Sequence, residues 1–319
     1  MPRFDITIAG EINLDIILYG LPDDLPQERE LLASGCCVTL GSSSAITAHN
    51  LSVLGSEVGF ITRVGHDDLG KIALSRMRAA GVDLSRITES DQADTGLTMI
   101  LPHSRARHIL TNPGCMAEMK LEHLDMEYLT SSRHFHLSSF FLHRGLVQQI
   151  PELLKKLKEA GLTISLDTND DPEDKWADTL PEALRYVDIL MPNEREACKI
   201  AGTSDFEDAI VRLSAFVPLL VVKMGSKGSM AIRGNQRILN PSIAVEVVDP
   251  VGAGDSFNAG FLHAYVQQAR LEDCLTKGNL AAAFSTTCPG GTEAFRKPDL
   301  WKQFLQHQAS IQLSLSRPV

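Results

Sequence analysis

Asp249-Pro250-Val251-Gly252-Ala253-Gly254-Asp255-Ser256-Phe257-Asn258-Ala259-Gly260-Phe261 is the stretch on which the reading of this chain turns. The apolar run before it, Ile243-Ala244-Val245-Glu246-Val247-Val248, predicts a strand, and Phe257, Phe261 and Tyr265 recur behind it at helical spacing. Glycines 252 and 254 then fall at a strand-to-helix junction. There they let the backbone turn sharply and leave successive N–H groups open to an anion, with the positive end of the helix beside them. Asp255 stands in the first turn of that helix. A carboxylate so placed either complements the helix dipole, an effect of about 0.3–1 kcal/mol, or takes a proton from a hydroxyl that attacks bound phosphate.

The 319 residues around this stretch are 44% hydrophobic and 22% charged, enough for a large core or two unequal domains. A formal net charge of -10 and a pI near 5.5 exclude a broad electrostatic affinity for nucleic acid or anionic membrane. An anionic nucleotide must therefore be held by local dipoles and a few cations. Apolar runs such as Phe216 to Val222 are far shorter than the roughly 20 residues of a membrane span. The N-terminus carries no basic-then-apolar signal, so a cytoplasmic location is expected. The six cysteines lack zinc-site spacing and are expected as free thiols.

Beyond residue 130 strand and helix patterns alternate: 134–137 strand, 146–160 helix, 163–167 strand, 180–186 helix, 187–191 strand and 219–223 strand. Such alternation predicts a mostly parallel sheet with helices on both faces, whose ligands gather outside the carboxyl ends of the strands. Three polar clusters fall there, at 167–170, 193–196 and 223–228. Earlier in the chain, Asp5 to Gly10 reads as a buried strand. Asn13 and Asp15 then alternate with Ile12, Leu14 and Ile16, the period of a strand with one wet face that can meet a polyol or simply water. Gly41-Ser42-Ser43-Ser44 precedes a helical pattern over 45–54, where serines can cap the helix or admit a ligand. Residues 95–101 and 107–111 read as a hairpin around His103-Ser104-Arg105, and with the β-rich segment near 12–40 they predict a small projecting sheet. Residues 310–319 show no organising pattern.

In this order the motifs resemble the ribokinase-like family, the carbohydrate kinases grouped with phosphofructokinase B, from Gly10-Glu11-Ile12-Asn13-Leu14-Asp15 to about Gly291. The resemblance implies one domain over 1–319, a three-layer α/β sandwich with a small β lid formed by segments about 12–40 and 95–112. It implies an ATP-dependent kinase acting on a hydroxyl of a small sugar or sugar derivative. Asp255 would be the general base, and the amides of Gly252, Ala253 and Gly254 the anion hole, a fit to phosphoryl transfer, where positioning and electrostatics dominate. Asn193 and Glu196 match an Asn-x-x-Glu motif associated with Mg2+, with Glu196 acting indirectly through water. Lys223, Gly225, Gly228 and Asn279 match the nucleotide site. Asn13, Asp15, Gly41 and Ser42 match the substrate site, and Asp249 a site for a monovalent cation such as K+.

The chain departs from this pattern where many relatives have two glycines and it has Gly41-Ser42, and where they have an asparagine and it has Ile46. The lost amide implies a substrate other than ribose. Arg105, Arg107 and His108, on or near the hairpin, could meet an anionic substrate or simply be solvated. A homodimer through the lid is a further implication. The nearest rival reading is a nucleoside kinase of the same fold, which needs aromatics in or under the lid, where Tyr19 alone stands. A noncatalytic sugar-binding protein is opposed by the joint presence of Asp255, Gly252, Gly254, Asn193 and Glu196. A dinucleotide oxidoreductase is opposed by the missing G-x-G-x-x-G after the first strand.

Overall fold

The computed structural model describes residues 2–103, 107–177 and 179–315. Arg105 lies outside the described residues. In chain order the strands of the first half are β1 (Phe4–Ala9), β2 (Asn13–Tyr19), β3 (Gly35–Gly41), β4 (Val58–Ile61), β5 (Arg63–Gly65), β6 (Thr88–Ser90), β7 (Gly96–Pro102) and β8 (Arg107–Asn112). Those of the second half are β9 (Ser132–Ser138), β10 (Thr163–Asp167), β11 (Ile189–Leu190), β12 (Leu219–Lys223), β13 (Ser229–Arg233) and β14 (Gln236–Asn240). The helices are α1 (Ser43–Val53), α2 (Asp68–Ala79), α3 (Met126–Thr130), α4 (Ile150–Glu159), α5 (Leu180–Ala183), α6 (Glu194–Ala201), α7 (Phe206–Ser214), α8 (Ala253–Val266), α9 (Leu271–Ser285) and α10 (Pro298–Leu315).

The main sheet has the order β14-β13-β12-β11-β10-β9-β1-β4. Its strands from β12 to β4 pair in parallel, and near one edge β13 runs antiparallel to both of its neighbours, β12 and β14. Side chains along β12 divide between the two faces with period two. Leu220 and Val222 join the core under α4, α6 and α7, while Leu219 and Val221 join the core under α1, α8 and α9. Both faces are thus covered, as a parallel sheet requires. On the second face Phe257, Phe261 and Tyr265 stack along α8 at 6.1 and 6.2 Å, and each fully buried Phe contributes roughly 1.5–3 kcal/mol.

The second sheet, β3-β2-β7-β8, is separate from the first. β2 pairs antiparallel with β3 and parallel with β7, and β7 forms the expected hairpin with β8. One sequence expectation fails here. Residues 243–248 form no strand, because the sheet edge is already closed by β14. The run instead crosses the surface with Val247 and Val248 exposed, and Val248 N donates to Thr286 O at 2.8 Å. The unassigned tail becomes helical to Leu315, and α10 packs Trp301 and Phe304 against Phe284.

Candidate active site

Local geometry at the start of α8 follows from Gly252. It is the helix N-cap at φ 73°, ψ 6°, and a Cβ there would collide with the Gly291 backbone. Asp249 fixes the loop leading in: its carboxylate accepts from Val251 N at 2.9 Å, Gly290 N at 3.0 Å and the Tyr19 hydroxyl at 2.8 Å. The three amides expected to face an anion are not equivalent. Ala253 N already donates to Pro250 O at 3.2 Å, whereas Gly252 N and Gly254 N make no hydrogen bond to a described residue. Of the three, the two glycine amides are therefore the ones left open to an anion.

Asp255, one residue on, is buried, and its pKa is pushed up to about 6. Burial is the main cause and the charge of Asp167 adds to it, while Lys223 and a Ser43 hydrogen bond oppose both. Asp167, fully buried at the end of β10, accepts from Asn258 Nδ2 at 2.6 Å and pairs with Lys223 Nζ. Asn258 reaches it because it lies one helical turn beyond Asp255. Glu196 is likewise raised to about 7, by burial and then by Asp167. Burial alone would lower the pKa of Lys223, but Asp167, Glu196 and Asp255 raise it. Three buried carboxylates thus share one ammonium, an arrangement with room for further positive charge. Among the described residues no three His, Cys, Asp or Glu side chains are grouped to hold a metal ion unaided.

On one side of this cluster lies a cavity of about 520 Å³, bounded by Lys223, Gly225, Gly228, Gly254, Phe257 and Asn279. Its other wall is the irregular run 242–247, so the segment expected as a strand is a cavity wall. Asn279 is present but its Nδ2 is engaged by Asn240 Oδ1 at 2.8 Å and Pro241 O at 2.9 Å, so it shapes the wall by holding that run. Asn193 and Glu196 do not line this cavity. They form a reciprocal capping box at the start of α6, Glu196 N to Asn193 Oδ1 at 2.9 Å and Asn193 N to Glu196 Oε2 at 2.8 Å. The Glu196 carboxylate still reaches the cluster electrostatically.

On the other side lies a smaller cavity of about 180 Å³ that brings together Asn13, Asp15, Ser42, Gly252 and Asp255. Asn13 is held between Thr98 Oγ1 at 2.8 Å and Ser42 Oγ at 3.0 Å, its amide donating to the first and accepting from the second. Asp15 makes no such bond to a described residue and is raised to about 7, by burial first and then by Asp255 and Asp249, with Arg107 opposing. Gly41 does not bound the cavity but makes it possible: a Cβ there would collide with Asp15 Oδ1 and Asn13 Oδ1. Ser42 departs from the expectation of a serine cap. It adopts φ 69°, ψ 130°, a region costly for any residue but glycine, and gives α1 no side-chain cap. Ile46 packs its Cδ1 toward Gly252 and Gly291.

Residues not singled out in the sequence complete the site. Glu11, fully buried, accepts from Ser44 N at 3.1 Å and Ser44 Oγ at 2.7 Å and faces His143 Nε2 at 3.2 Å. Burial would raise its pKa, but His143 and Ser44 bring it below the ordinary value. Asn169 donates to Ser43 Oγ at 2.9 Å. Asp167 and Asn169 fell in the polar cluster expected at the carboxyl end of a strand, whereas Glu11 and Asn258 gave no signal of their own.

Residues 5–298 match the family described as pfkB family carbohydrate kinase. An ATP-dependent ribose-1-phosphate kinase of Halopiger xanaduensis is 29% identical, over 90% of this chain and 93% of that protein. A cytidine kinase of Thermococcus kodakarensis is also 29% identical, over 86% of this chain and 93% of its own length. Among solved structures, an E. coli protein described as a ribokinase II, in complex with ATP and Mg2+, superposes with a TM-score of 0.84 at 26% identity, covering 95% of this chain and 99% of that one.

Proposed function

The chain belongs to the pfkB family of carbohydrate kinases and is an ATP-dependent phosphotransferase; within that family we propose that it phosphorylates a hydroxyl of a small sugar or sugar derivative with Asp255 as general base. One observation carries this reading. Asp255 lines the smaller cavity while Gly254, its neighbour in sequence, lines the larger one, so base and anion hole stand where the two cavities meet. Asp255 accepts the hydroxyl proton, and Gly252 and Gly254 N–H steady the charge on the transferring phosphoryl group. A positioned base contributes about 10²–10⁴-fold and an oxyanion-type donor about 10²–10³-fold.

ATP would occupy the 520 Å³ cavity, with Lys223, Gly225 and Gly228 on one side and the 242–247 run on the other. The unbalanced charge of Asp167, Glu196 and Asp255 fits Mg2+ held mainly by phosphate oxygens and waters, with Glu196 accepting from such a water. Bound there, the ion offsets charge on the phosphates. A monovalent cation near Asp249 belongs to the same proposal. The Asp249 carboxylate already accepts three hydrogen bonds, so such an ion would take its ligands from neighbouring carbonyls. Comparing turnover in potassium and tetramethylammonium salts tests it.

The acceptor cavity supports a sugar over a nucleoside. Among the described residues no aromatic lines it; its polar side includes Asn13, Asp15, Ser42, Thr98 and Thr111, and its apolar side Ile46, Ile100 and Met116. Screening sugars, sugar acids and nucleosides for ADP release, with the product identified, tests the reading, and turnover confined to nucleosides overturns it. We further propose that β2, β3, β7 and β8 act as a lid within the one domain, excluding water that would otherwise accept phosphate. The exposed edge strand β8, with Ile109 and Leu110 half exposed, supports pairing of two copies through that lid. Light scattering checks the dimer. Among the described residues no helix is long and apolar enough to cross a membrane, and a cytoplasmic location completes the proposal.

A further inference from the structure

The end of the main sheet opposite the active site carries a separate cavity of about 450 Å³. It lies where β9 and β10 begin and β13 ends, between the last turn of α8 and the start of α9. Three arginines from three elements converge on it: Arg133 of β9, Arg233 of β13 and Arg270 before α9. In a chain of net charge -10 this is a local reversal of sign. Arg133 faces Asp5 at 3.4 Å and Arg270 is paired with Asp273 at 3.0 Å. Arg233 makes no ion pair or side-chain hydrogen bond with a described residue, and neither does the Tyr265 hydroxyl. The opposite wall is apolar, formed by the Tyr265 ring, Val266 and Leu271.

Guanidinium forks match a phosphate dianion, and an apolar wall beside them matches a carbon skeleton. The volume lies within the range of about 300–1,000 Å³ typical of small-molecule sites. One wall also opens a hydrogen-bonded chain through the sheet. Thr163 Oγ1 meets His134 Nδ1 at 2.7 Å; His134 Nε2 meets Ser165 Oγ at 2.7 Å; Ser165 Oγ meets His136 Nδ1 at 2.7 Å; and His136 Nε2 meets Ser138 Oγ at 2.8 Å. Burial lowers the two imidazoles to about 3 and about 4, so each is neutral and carries a single N–H. Donor and acceptor must then alternate in one direction along the whole chain. Its far end, Ser138, lies at the active-site edge, where its carbonyl accepts from His143 Nε2 at 3.0 Å, and His136 there feels the charges of Asp167 and Lys223.

We propose that this cavity is an effector site for a small organic phosphomonoester, whose charge is transmitted to the active centre by the direction of the Thr163–His134–Ser165–His136–Ser138 chain. Calorimetric titration with glycerol 3-phosphate and with inorganic phosphate, at fixed ionic strength, tests the site in the wild-type protein and in an Arg133→Ala/Arg233→Ala variant. Saturable binding, tighter for glycerol 3-phosphate and at least tenfold weaker in the variant, is expected. No binding, or equal affinity in the two proteins, overturns it. This arm does not depend on the proposed reaction, so its failure and that of the kinase reading are distinguishable.

The second arm rests on that reading. Glycerol 3-phosphate should change KM or kcat of the wild-type protein and leave the arginine variant unmoved. Ser165→Ala should keep the binding and lose the response. Binding without any kinetic response overturns the effector role, and a full response in Ser165→Ala overturns the role of the chain.

Discussion

Tyr19 donates its hydroxyl to Asp249 Oδ2 at 2.8 Å, joining the second strand of the small sheet to the loop that shapes the start of α8. The contact pairs residues 230 positions apart in sequence and is part-buried, beside the apolar group Ile17, Ile100 and Val251. Burial and the Asp249 charge both raise the Tyr19 pKa, so the phenol stays a donor.

Tyr19→Phe removes that donor and leaves Asp249 with its two amides. A hydrogen bond to a charged acceptor contributes about 1.5–3 kcal/mol. Urea unfolding should show a loss of about that size, and steady-state kinetics should show a higher KM for the acceptor, because the small sheet forms one wall of its cavity.

Ser42 occupies a backbone region that disfavours any Cβ. Ser42→Ala keeps the strain and loses the bond to Asn13 Oδ1, whereas Ser42→Gly loses the bond but relieves the strain. Ser42→Gly should therefore be the more stable of the two by about 1 kcal/mol or more, measured by denaturant midpoints at constant m.

Asp255, with its pKa near 6, should impose a fall in kcat/KM below about pH 6, approaching tenfold per pH unit, in the pH profile of the native protein. Stability runs the other way. Asp15 is raised from 3.8 to about 7 in the folded chain, so between those values the folded state holds more protons than the unfolded one and loses stability as pH rises. Asp15→Asn removes that loss. Relative to the wild-type protein the variant should gain stability from pH 4.5 to pH 7.5 in paired urea titrations, and a constant difference would contradict the assignment.

Gly252→Ala puts a Cβ against the Gly291 backbone at a positive φ. The start of α8 must shift, misplacing the two glycine amides. A fall in kcat of about 10²-fold or more is expected, with the fold retained by circular dichroism.

Much of this was legible in the sequence because it depends on local pattern. Period-two and period-3.6 runs located β9, β10, β12 and α8, and the Gly252-Ala253-Gly254-Asp255 order located the junction of the two cavities. What was not legible depends on tertiary competition. Residues 243–248 have strand composition, yet β14 already closes the sheet edge and the run becomes a cavity wall. Ala253 N could not be known to turn back on Pro250. Asn193 and Glu196 read as a motif associated with Mg2+, and their hydrogen bonds in the fold are those of a helix cap. Glu11, Asn169 and Asn258 acquire their places only when chain segments distant in sequence converge.

The central claim is that Asp255 takes the proton from the acceptor hydroxyl. Its most direct test is the turnover number of Asp255→Asn against the native protein, on a substrate whose phosphorylated product has been identified. A fall of about 10²–10⁴-fold in kcat is predicted, with ATP binding retained. Equal turnover by the two proteins would contradict it.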